Sequence, residues 1–323
     1  MQTFSKLNPQ KQQELYTQVI NLKKEGFGYK RIIKKIKEEQ AIKLSLSTLS
    51  YWFNHEVKLL GGQNYFELIQ SSELSYVLGV MFGDGSIIFN EKRKEYVLRL
   101  EAIDKDFVEK FSSDCASILG KESSFAVCYN KPRRNHSATY SVQVRSKQLY
   151  YFVKELKNDF EKVKKFIDNY PAEFIQGLAD SEGTCSVSPN KCLTLSVCVA
   201  CSTNFELLEY VNKLLLENYL IKCKIEKTKF AGQADSVING RVITRTKDLF
   251  SLYPLNKKEA LEFLAVVGFS IIRKNRKFED YVFLFEKYKG KKCIVFWKKV
   301  YHKEGRFWVR NNDLSINKLN FVN

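Results

Sequence analysis

Two acids in this chain of 323 residues stand in matching surroundings. Asp84 falls in Val77-Leu78-Gly79-Val80-Met81-Phe82-Gly83-Asp84-Gly85, and Glu182 in Ile175-Gln176-Gly177-Leu178-Ala179-Asp180-Ser181-Glu182-Gly183. The acids are 98 residues apart, and both runs read apolar, any, Gly, apolar, apolar, any, small, acid, Gly. Gly79 and Gly83 are one helical step of four apart, as are Gly177 and Ser181, so each pair falls on one helix face. Small residues at that spacing let two helix backbones approach closely. Leu78, Val80, Met81, Phe82, Ile175, Leu178 and Ala179 fill the rest of the seam. Helices packed this way bring their C-terminal ends together. The last turn of each carries an acid, followed by a glycine able to end the helix in the left-handed conformation. A carboxylate at that end meets a dipole that is already negative. Two of them side by side form an anionic spot that is costly unless cations occupy it. Mg²⁺ accepts a few carboxylates and keeps places for water and phosphate oxygens. Two acids on two helices, bridging metal ions over a phosphodiester, suit in-line hydrolysis.

That chemistry needs a polyanionic substrate, and the charge agrees. The chain carries 53 Lys and Arg against 36 Asp and Glu, a net charge of +17. Nucleic acid is the default partner of such a surface. A membrane surface ranks lower, because the cations are dispersed over strands, turns and helices, with no basic amphipathic helix standing out. No apolar run approaches the ~20 residues of a membrane span, and Met1 to Leu7 has no apolar signal core. Eight cysteines in a chain this long do not make a disulfide scaffold and fit a reduced, intracellular setting, with the protein at its DNA. Cys198-x-x-Cys201 has zinc-knuckle spacing, but it lies in the alternating run LTLSVCVAC, which reads better as a half-buried strand.

The elements that position the acids form a repeat. The first unit reads helix 72–83, strand 86–90, strand 96–102, helix 104–119, strand 124–129, strand 139–145 and helix 146–157. The second reads helix 171–181, strand 184–188, strand 193–201, helix 204–218, strand 222–229, a long loop at about 230–247 leading to a second hairpin arm, and helix 257–267. The common order is αββαββα, and a repeat at fixed offset implies a pseudo-two-fold whose axis runs between the two opening helices. Ser72 and Glu73 favour the first helix start, and Pro171 the second. The expected fold is α+β: tandem pseudo-symmetric αββαββα units forming a saddle of two antiparallel sheets, plus a small all-helical N-terminal domain. The expected divisions are residues 1–58, a Gly-Gly-containing linker at 59–71, halves at 72–168 and 169–289, and a basic aromatic extension at 290–323.

In the first block, Pro9–Lys24 has helical periodicity stopped at Gly26-Phe27-Gly28. Tyr29–Glu39 turns Ile32, Ile33 and Ile36 inward, and Ser45 or Ser47 caps a third helix. This layout resembles the helix-turn-helix of small DNA-binding domains, whose last helix enters the major groove. Ser45, Ser47, Thr48 and Ser50 would then meet DNA, while Trp52 packs inside. A helical cap on the main domain fits the same pattern.

Both nonapeptides resemble the motif that names the LAGLIDADG homing endonucleases, and residues 72–289 follow the plan of the single-chain, two-motif members. The second half departs in its longer loop and in Gln176. The resemblance implies a monomer that cuts both strands of a long, specific double-stranded DNA site and leaves 3′ overhangs. It implies Mg²⁺, with Mn²⁺ an acceptable substitute, at a site of Asp84, Glu182, Gly83 and Ser181. It further implies basic residues near the metals, for which Lys274 and Lys147 are the candidates.

Strand alternation supplies a DNA face. Thr139, Ser141, Gln143 and Arg145 lie opposite Tyr140, Val142 and Val144, while Lys222, Lys224, Glu226 and Thr228 lie opposite Cys223, Ile225 and Lys227. Val97, Arg99 and Glu101 lie opposite Leu98 and Leu100. Arg, Gln and Glu suit base edges, and Lys92, Arg93, Lys94, Arg133 and Arg134 in the turns suit phosphates. Lys191 and Arg245 join them as candidate contacts. In the tail, Trp297, Trp308, Lys298, Lys299, Arg306 and Arg310 fit either nucleic-acid binding or a strand pair packed on the second half. Two other uses of the fold stay open: a DNA-binding regulator that does not cut, and an RNA-binding factor aiding splicing of a host intron.

Overall fold

The computed structural model describes residues 2–4, 7, 9–54, 69–132, 137–238, 241–305 and 307–311. At the N-terminus, β1 (Gln2–Thr3) precedes α1 (Pro9–Lys24), α2 (Tyr29–Gln40), β2 (Ile42–Lys43) and α3 (Leu46–Asn54). Gly26, at φ 87°, ends α1. The Ser45 hydroxyl accepts from Thr48 N at 3.0 Å, so Ser45 caps α3 and Ser47 lies within it. The three helices close over Leu15, Val19, Ile32, Ile36, Leu49 and Trp52, a core of their own. The short parallel pairing of β1 with β2 is too brief to leave a periodicity in the sequence.

The first half contains α4 (Ser72–Phe82), β3 (Ser86–Asn90), β4 (Glu95–Ala102), α5 (Lys105–Ile118), β5 (Cys128–Asn130), β6 (Thr139–Arg145), α6 (Lys147–Asn158) and the short α7 (Glu161–Ile167). Its strands form an antiparallel sheet in the order β3-β4-β6-β5. The second half contains α8 (Pro171–Glu182), β7 (Thr184–Pro189), β8 (Leu193–Cys198), β9 (Ala200–Ser202), α9 (Phe205–Tyr219), β10 (Cys223–Lys229), β11 (Ala234–Ile238), β12 (Arg241–Thr244), β13 (Leu249–Pro254) and α10 (Lys257–Val266). Here β7 pairs with β8, and β9-β13-β10 form the adjoining three strands. The break between β8 and β9 is a bulge. Ala200 pairs with Leu252, and Val199 N also donates to Leu252 O at 2.9 Å, so two residues face one. The two halves thus share one strand order, and the fold is α+β with tandem antiparallel sheets.

Several expected boundaries move. The strand expected over 124–129 is reduced to β5, whose pairing begins at Cys128. The loop expected at about 230–247 contains the β11–β12 hairpin, held by Lys229 and Arg245 on Asp235 at 2.5 and 2.9 Å. Beyond α10 come α11 (Ile272–Lys287), α12 (Lys291–Val300) and the hairpin β14 (Tyr301–Glu304) with β15 (Phe307–Arg310). They bury Trp297, Tyr281 and Tyr301 against Val187 and Leu193 of the second half. Trp297 is fully buried and stacked on Tyr301, so it packs a core instead of offering a stacking surface to nucleic acid. No described helix is long and apolar enough to cross a membrane.

One main core joins both halves, and the α4–α8 seam lies at its centre. Tyr76, Val77, Leu78, Val80, Met81, Phe174, Ile175 and Leu178 are fully buried there. Each apolar side chain of that size stabilises by roughly 1.5–3 kcal/mol.

Candidate active site at the helix seam

The seam is built from reciprocal backbone contacts. A Cβ on Gly79 would stand 2.1 Å from Phe174 O and 2.9 Å from Leu178 N, and one on Gly177 would stand 2.3 Å from Tyr76 O and 3.0 Å from Val80 N. Phe174 and Leu178 are the second motif's equivalents of Tyr76 and Val80, so the two crossings mirror each other. A Cβ on Gly83 would meet the Ser181 Cβ at 2.4 Å and the Glu182 Cγ at 3.3 Å. This packing delivers the two acids to one place.

The helix ends differ from expectation. The cap of α4 is Ser71, whose hydroxyl accepts from Leu74 N at 3.1 Å, while Ser72 lies inside the first turn. Pro171 stands at the start of α8 as anticipated. Glu182 is the last residue of α8, but α4 stops at Phe82, and Asp84 sits in the turn beyond it. Neither Gly85 nor Gly183 has positive φ. They are required for room instead. A Cβ on Gly85 would fall 2.6 Å from Met81 Sδ, and one on Gly183 would fall 2.5 Å from both Ala179 O and Val199 O.

Asp84 opens to solvent on one side, and protein crowds its carboxyl on the other; Glu182 is half-buried. Burial raises both acids above the ordinary carboxyl range. For Glu182, burial followed by the charge of Asp84 pushes the value to about 7. Two carboxyls that resist sharing their charge are the arrangement that a divalent cation relieves. Among the described residues no cluster of three or more His, Cys, Asp or Glu adds further ligands. The donor set is therefore the two carboxylates with nearby oxygens, which fits a hydrated Mg²⁺ better than a thiophilic ion.

Lys274 is the cation that both acids sense. It is buried, and its ammonium donates to Ala179 O, Asp180 O and Gly183 O at 3.0, 2.8 and 2.7 Å. It thus satisfies the final carbonyls of α8, where a cation also meets the dipole favourably. Burial holds its ammonium down at about 8, against the pull of Asp180. Its position is fixed from the other half: Arg273 grips Asp104 with two bonds of 2.9 and 2.8 Å, and Asp106 accepts from Ile272 N at 2.6 Å.

Lys147 stands elsewhere, with its ammonium 5.8 Å from the Tyr96 ring centroid. The first motif's glycine carbonyl is met by Lys157, which donates to Gly85 O at 3.2 Å. Burial lowers its pKa too. Gly85 is the counterpart of Gly183, so each half sends one half-shielded or buried lysine to the same carbonyl. Nothing in the sequence separates Lys157 from an ordinary helix lysine.

A second polar group crosses the seam. The Tyr76 hydroxyl donates to Asp180 Oδ2 at 2.8 Å, and Ser270 donates to the same carboxyl from its amide, at 2.9 Å, and its hydroxyl. The equivalent positions in the other half are Phe174 and Phe82, which meet edge to face with centroids 6.2 Å apart. The pseudo-symmetric site is thus polar on one side and aromatic on the other. Gln176, an outlier in the motif, donates to Val267 O at 2.8 Å and ties α8 to the end of α10.

The sheet residues alternate largely as expected, except that Val97 and Ser141 on the polar face are buried, which takes Ser141 out of reach of DNA, and that Lys227, expected on the back, is exposed and pairs with Asp248 at 2.6 Å beside a register shift. In register, Ser86, Arg99 and Gln143 lie side by side, as do Glu101 and Ser141, over a back of buried Leu98, Leu100, Val142 and Val144. Gln143 and Arg145 are exposed; Arg145 pairs with Glu95 at 3.5 Å. Arg99 is bound to Glu101, which also accepts from Thr139 at 2.6 Å, and Asn130 donates to Thr139 and Ser141 at 3.2 and 3.1 Å. Asn130 joins this surface from β5. In the other half Lys224 pairs with Glu226 at 2.7 Å, and Thr228 meets Ser251 at 3.1 Å. Lys92, Arg93, Lys191 and Lys222 are exposed, Arg245 is held by Asp235, and Arg133 and Arg134 lie outside the described residues. Ser47 is exposed and Thr48 half-buried on α3.

Fold and site together define a single-chain, pseudo-two-fold α+β protein with a carboxylate pair at its helix seam. No protein-family model matches the chain. It belongs to the same family as the uncharacterized protein MJ0398 of Methanocaldococcus jannaschii, being 33% identical to it over 266 residues that cover 82% of this chain and 92% of that one. The uncharacterized protein MJ0314 of the same organism is 31% identical over 159 residues, 48% of this chain and 58% of that one. Solved structures with some likeness include the homing endonuclease I-DmoI in complex with DNA and Mn, at 18% identity and TM-score 0.41, covering 62% of this chain and 98% of that chain. They also include the homing endonuclease I-WcaI bound to its DNA recognition sequence, at 14% and 0.44, covering 68% and 93%. The N-terminal LAGLIDADG domain of DUF199/WhiA follows at 16% and 0.37, covering 66% and 85%. Likeness at this level assigns no activity to the chain.

Proposed function

We propose that the protein is a divalent-cation-dependent, site-specific DNA endonuclease of the LAGLIDADG type. The observation that carries this reading is the meeting of Asp84 and Glu182 at a seam whose glycines leave no room for any side chain. A basic chain of net charge +17 supplies the attraction to DNA that such a site requires. Bound Mg²⁺ would supply Lewis-acid stabilisation of charge on the phosphate and activation of water. Asp84 and Glu182 would hold it, aided by oxygens of Gly83 and Ser181. Lys274 and Lys157 position the turns behind the acids, and Lys274 lowers the repulsion between them. Arg99, Gln143, Arg145, Lys224, Glu226 and Thr228 would meet base edges, while Lys92, Arg93, Arg133, Arg134, Lys191, Lys222 and Arg245 would meet phosphates. Residues 1–58 would extend the contact through Ser47 and Thr48 on α3.

Incubating the protein with a randomised double-stranded DNA library and Mg²⁺, then sequencing the cut ends, tests this. Uniform 3′ overhangs at one motif are expected. Selective binding without any cut ends would replace the nuclease with a DNA-binding regulator.

A further inference from the structure

The bulge at Val199 has placed two thiols in contact. Along an unbroken strand Cys198 and Cys201 would fall on opposite faces. The extra residue brings them to the same one, where their sulfurs are 3.5 Å apart. A disulfide needs about 2.05 Å, so closure requires a local shift on the order of 1.5 Å. Cys201 is half-buried and meets the Ser251 hydroxyl at 3.1 Å, and Ser251 meets Thr228 at the same distance. Among the described residues no cluster of three or more His, Cys, Asp or Glu includes the pair.

We propose that Cys198 and Cys201 are a reversible dithiol–disulfide site that governs the neighbouring acid. The mechanical link is short. Thr184 pairs with Cys198 across the sheet, two residues beyond Glu182, and a Cβ on Gly183 would lie 2.5 Å from Val199 O in the bulge itself. Closing the disulfide pulls on the bulge, which presses on Gly183, whose carbonyl is bound by Lys274. It also withdraws Cys201 from Ser251 and so breaks the chain to Thr228.

The reaction partner is a small-molecule disulfide. The Cys201 thiolate attacks one of its sulfurs, forming a mixed disulfide and releasing one small thiolate. Cys198, after losing its proton, attacks the Cys201 sulfur and releases the second. One protein disulfide and two small thiols result; two electrons pass to the reagent, and the two cysteine protons end on the released thiols. The Cys198 thiol beside it holds Cys201 below the ordinary thiol range, against burial and with help from Ser251, which favours Cys201 as the first attacker.

The effect on cleavage rests on the endonuclease reading; formation of the bond does not. The full chain is treated with oxidised glutathione, alkylated and digested with trypsin, which leaves Cys192, Cys198 and Cys201 in one peptide. A Cys192→Ser variant isolates the pair. The expected peptide carries no alkyl group on either remaining cysteine and is two hydrogens lighter than the reduced form. Alkylation of both, or a persistent glutathione adduct, overturns the site. Cleavage of the selected DNA should fall at least tenfold on oxidation and return with dithiothreitol, while the ratio of oxidised to reduced activity stays near one in Cys198→Ser. Disulfide formation with unchanged cleavage overturns the control function. If the reduced protein cuts no DNA, the endonuclease reading fails and the peptide masses still decide the site.

Discussion

Gly79 and Gly177 face each other's helices in mirror fashion, each with its α-carbon hydrogen directed at a carbonyl of the opposing strand of backbone: Phe174 O for the first and Tyr76 O for the second. This reciprocity means that the two alanine variants should behave alike. Gly79→Ala and Gly177→Ala each force the helices apart, at a cost of about 3 kcal/mol or more, the upper range for overpacking. Urea unfolding of both variants checks this. Full stability of either one contradicts the seam.

The acids are expected to separate chemistry from affinity. Asp84→Asn or Glu182→Gln should abolish cleavage and leave DNA affinity within about tenfold, since the proposed phosphate and base contacts involve other residues. Cleavage gels and filter binding on one target measure the two effects. A double variant that still nicks DNA would exclude these acids as the site.

The pH dependence of stability follows from Glu182. Its folded value is about 7 against an ordinary 4.5, so the ionised carboxylate destabilises the fold above both values. Below 4.5 it is protonated in either state and contributes nothing. Without divalent cations, Glu182→Gln should therefore be more stable at pH 8 by on the order of 2 kcal/mol, allowing for partial exposure. The gain should shrink as pH falls through 7 and be absent near pH 4, as thermal melts would record.

The two lysines should differ. Lys274→Met removes an ammonium shared by three carbonyls, of which Ala179 O keeps the Gly183 amide, and should cost about 2–4 kcal/mol; Lys157→Met removes one contact and should cost about 1 kcal/mol. Chemical denaturation of both variants in parallel reads the difference. Equal losses would remove the distinction between the two halves.

Much of this arrangement was legible in the sequence. The paired nonapeptides revealed the seam and the repeat, because small residues at helical spacing have few other uses beside an apolar core. Strand alternation located the face of Gln143 and Arg145, since one buried side dictates the register. That the two acids leave their helices at different points, Glu182 within α8 and Asp84 beyond α4, was not legible, because helix ends depend on local hydrogen bonds. The β8–β9 bulge was hidden because LTLSVCVAC alternates well enough to read as one strand. Lys157 carries no sequence signal because its role depends on which carbonyl the folded helix meets. Trp297 was ambiguous for the related reason that aromatic-basic mixing describes both a binding surface and the edge of a small core.

If Asp84 and Glu182 share a cation, a double-mutant cycle on Mn²⁺ binding should reveal their coupling. Calorimetric titration of the protein, Asp84→Asn, Glu182→Gln and the double variant should show each single change weakening the same binding event at least tenfold, with the double change adding little. Independent, additive losses, or Mn²⁺ affinity untouched by either change, would contradict it.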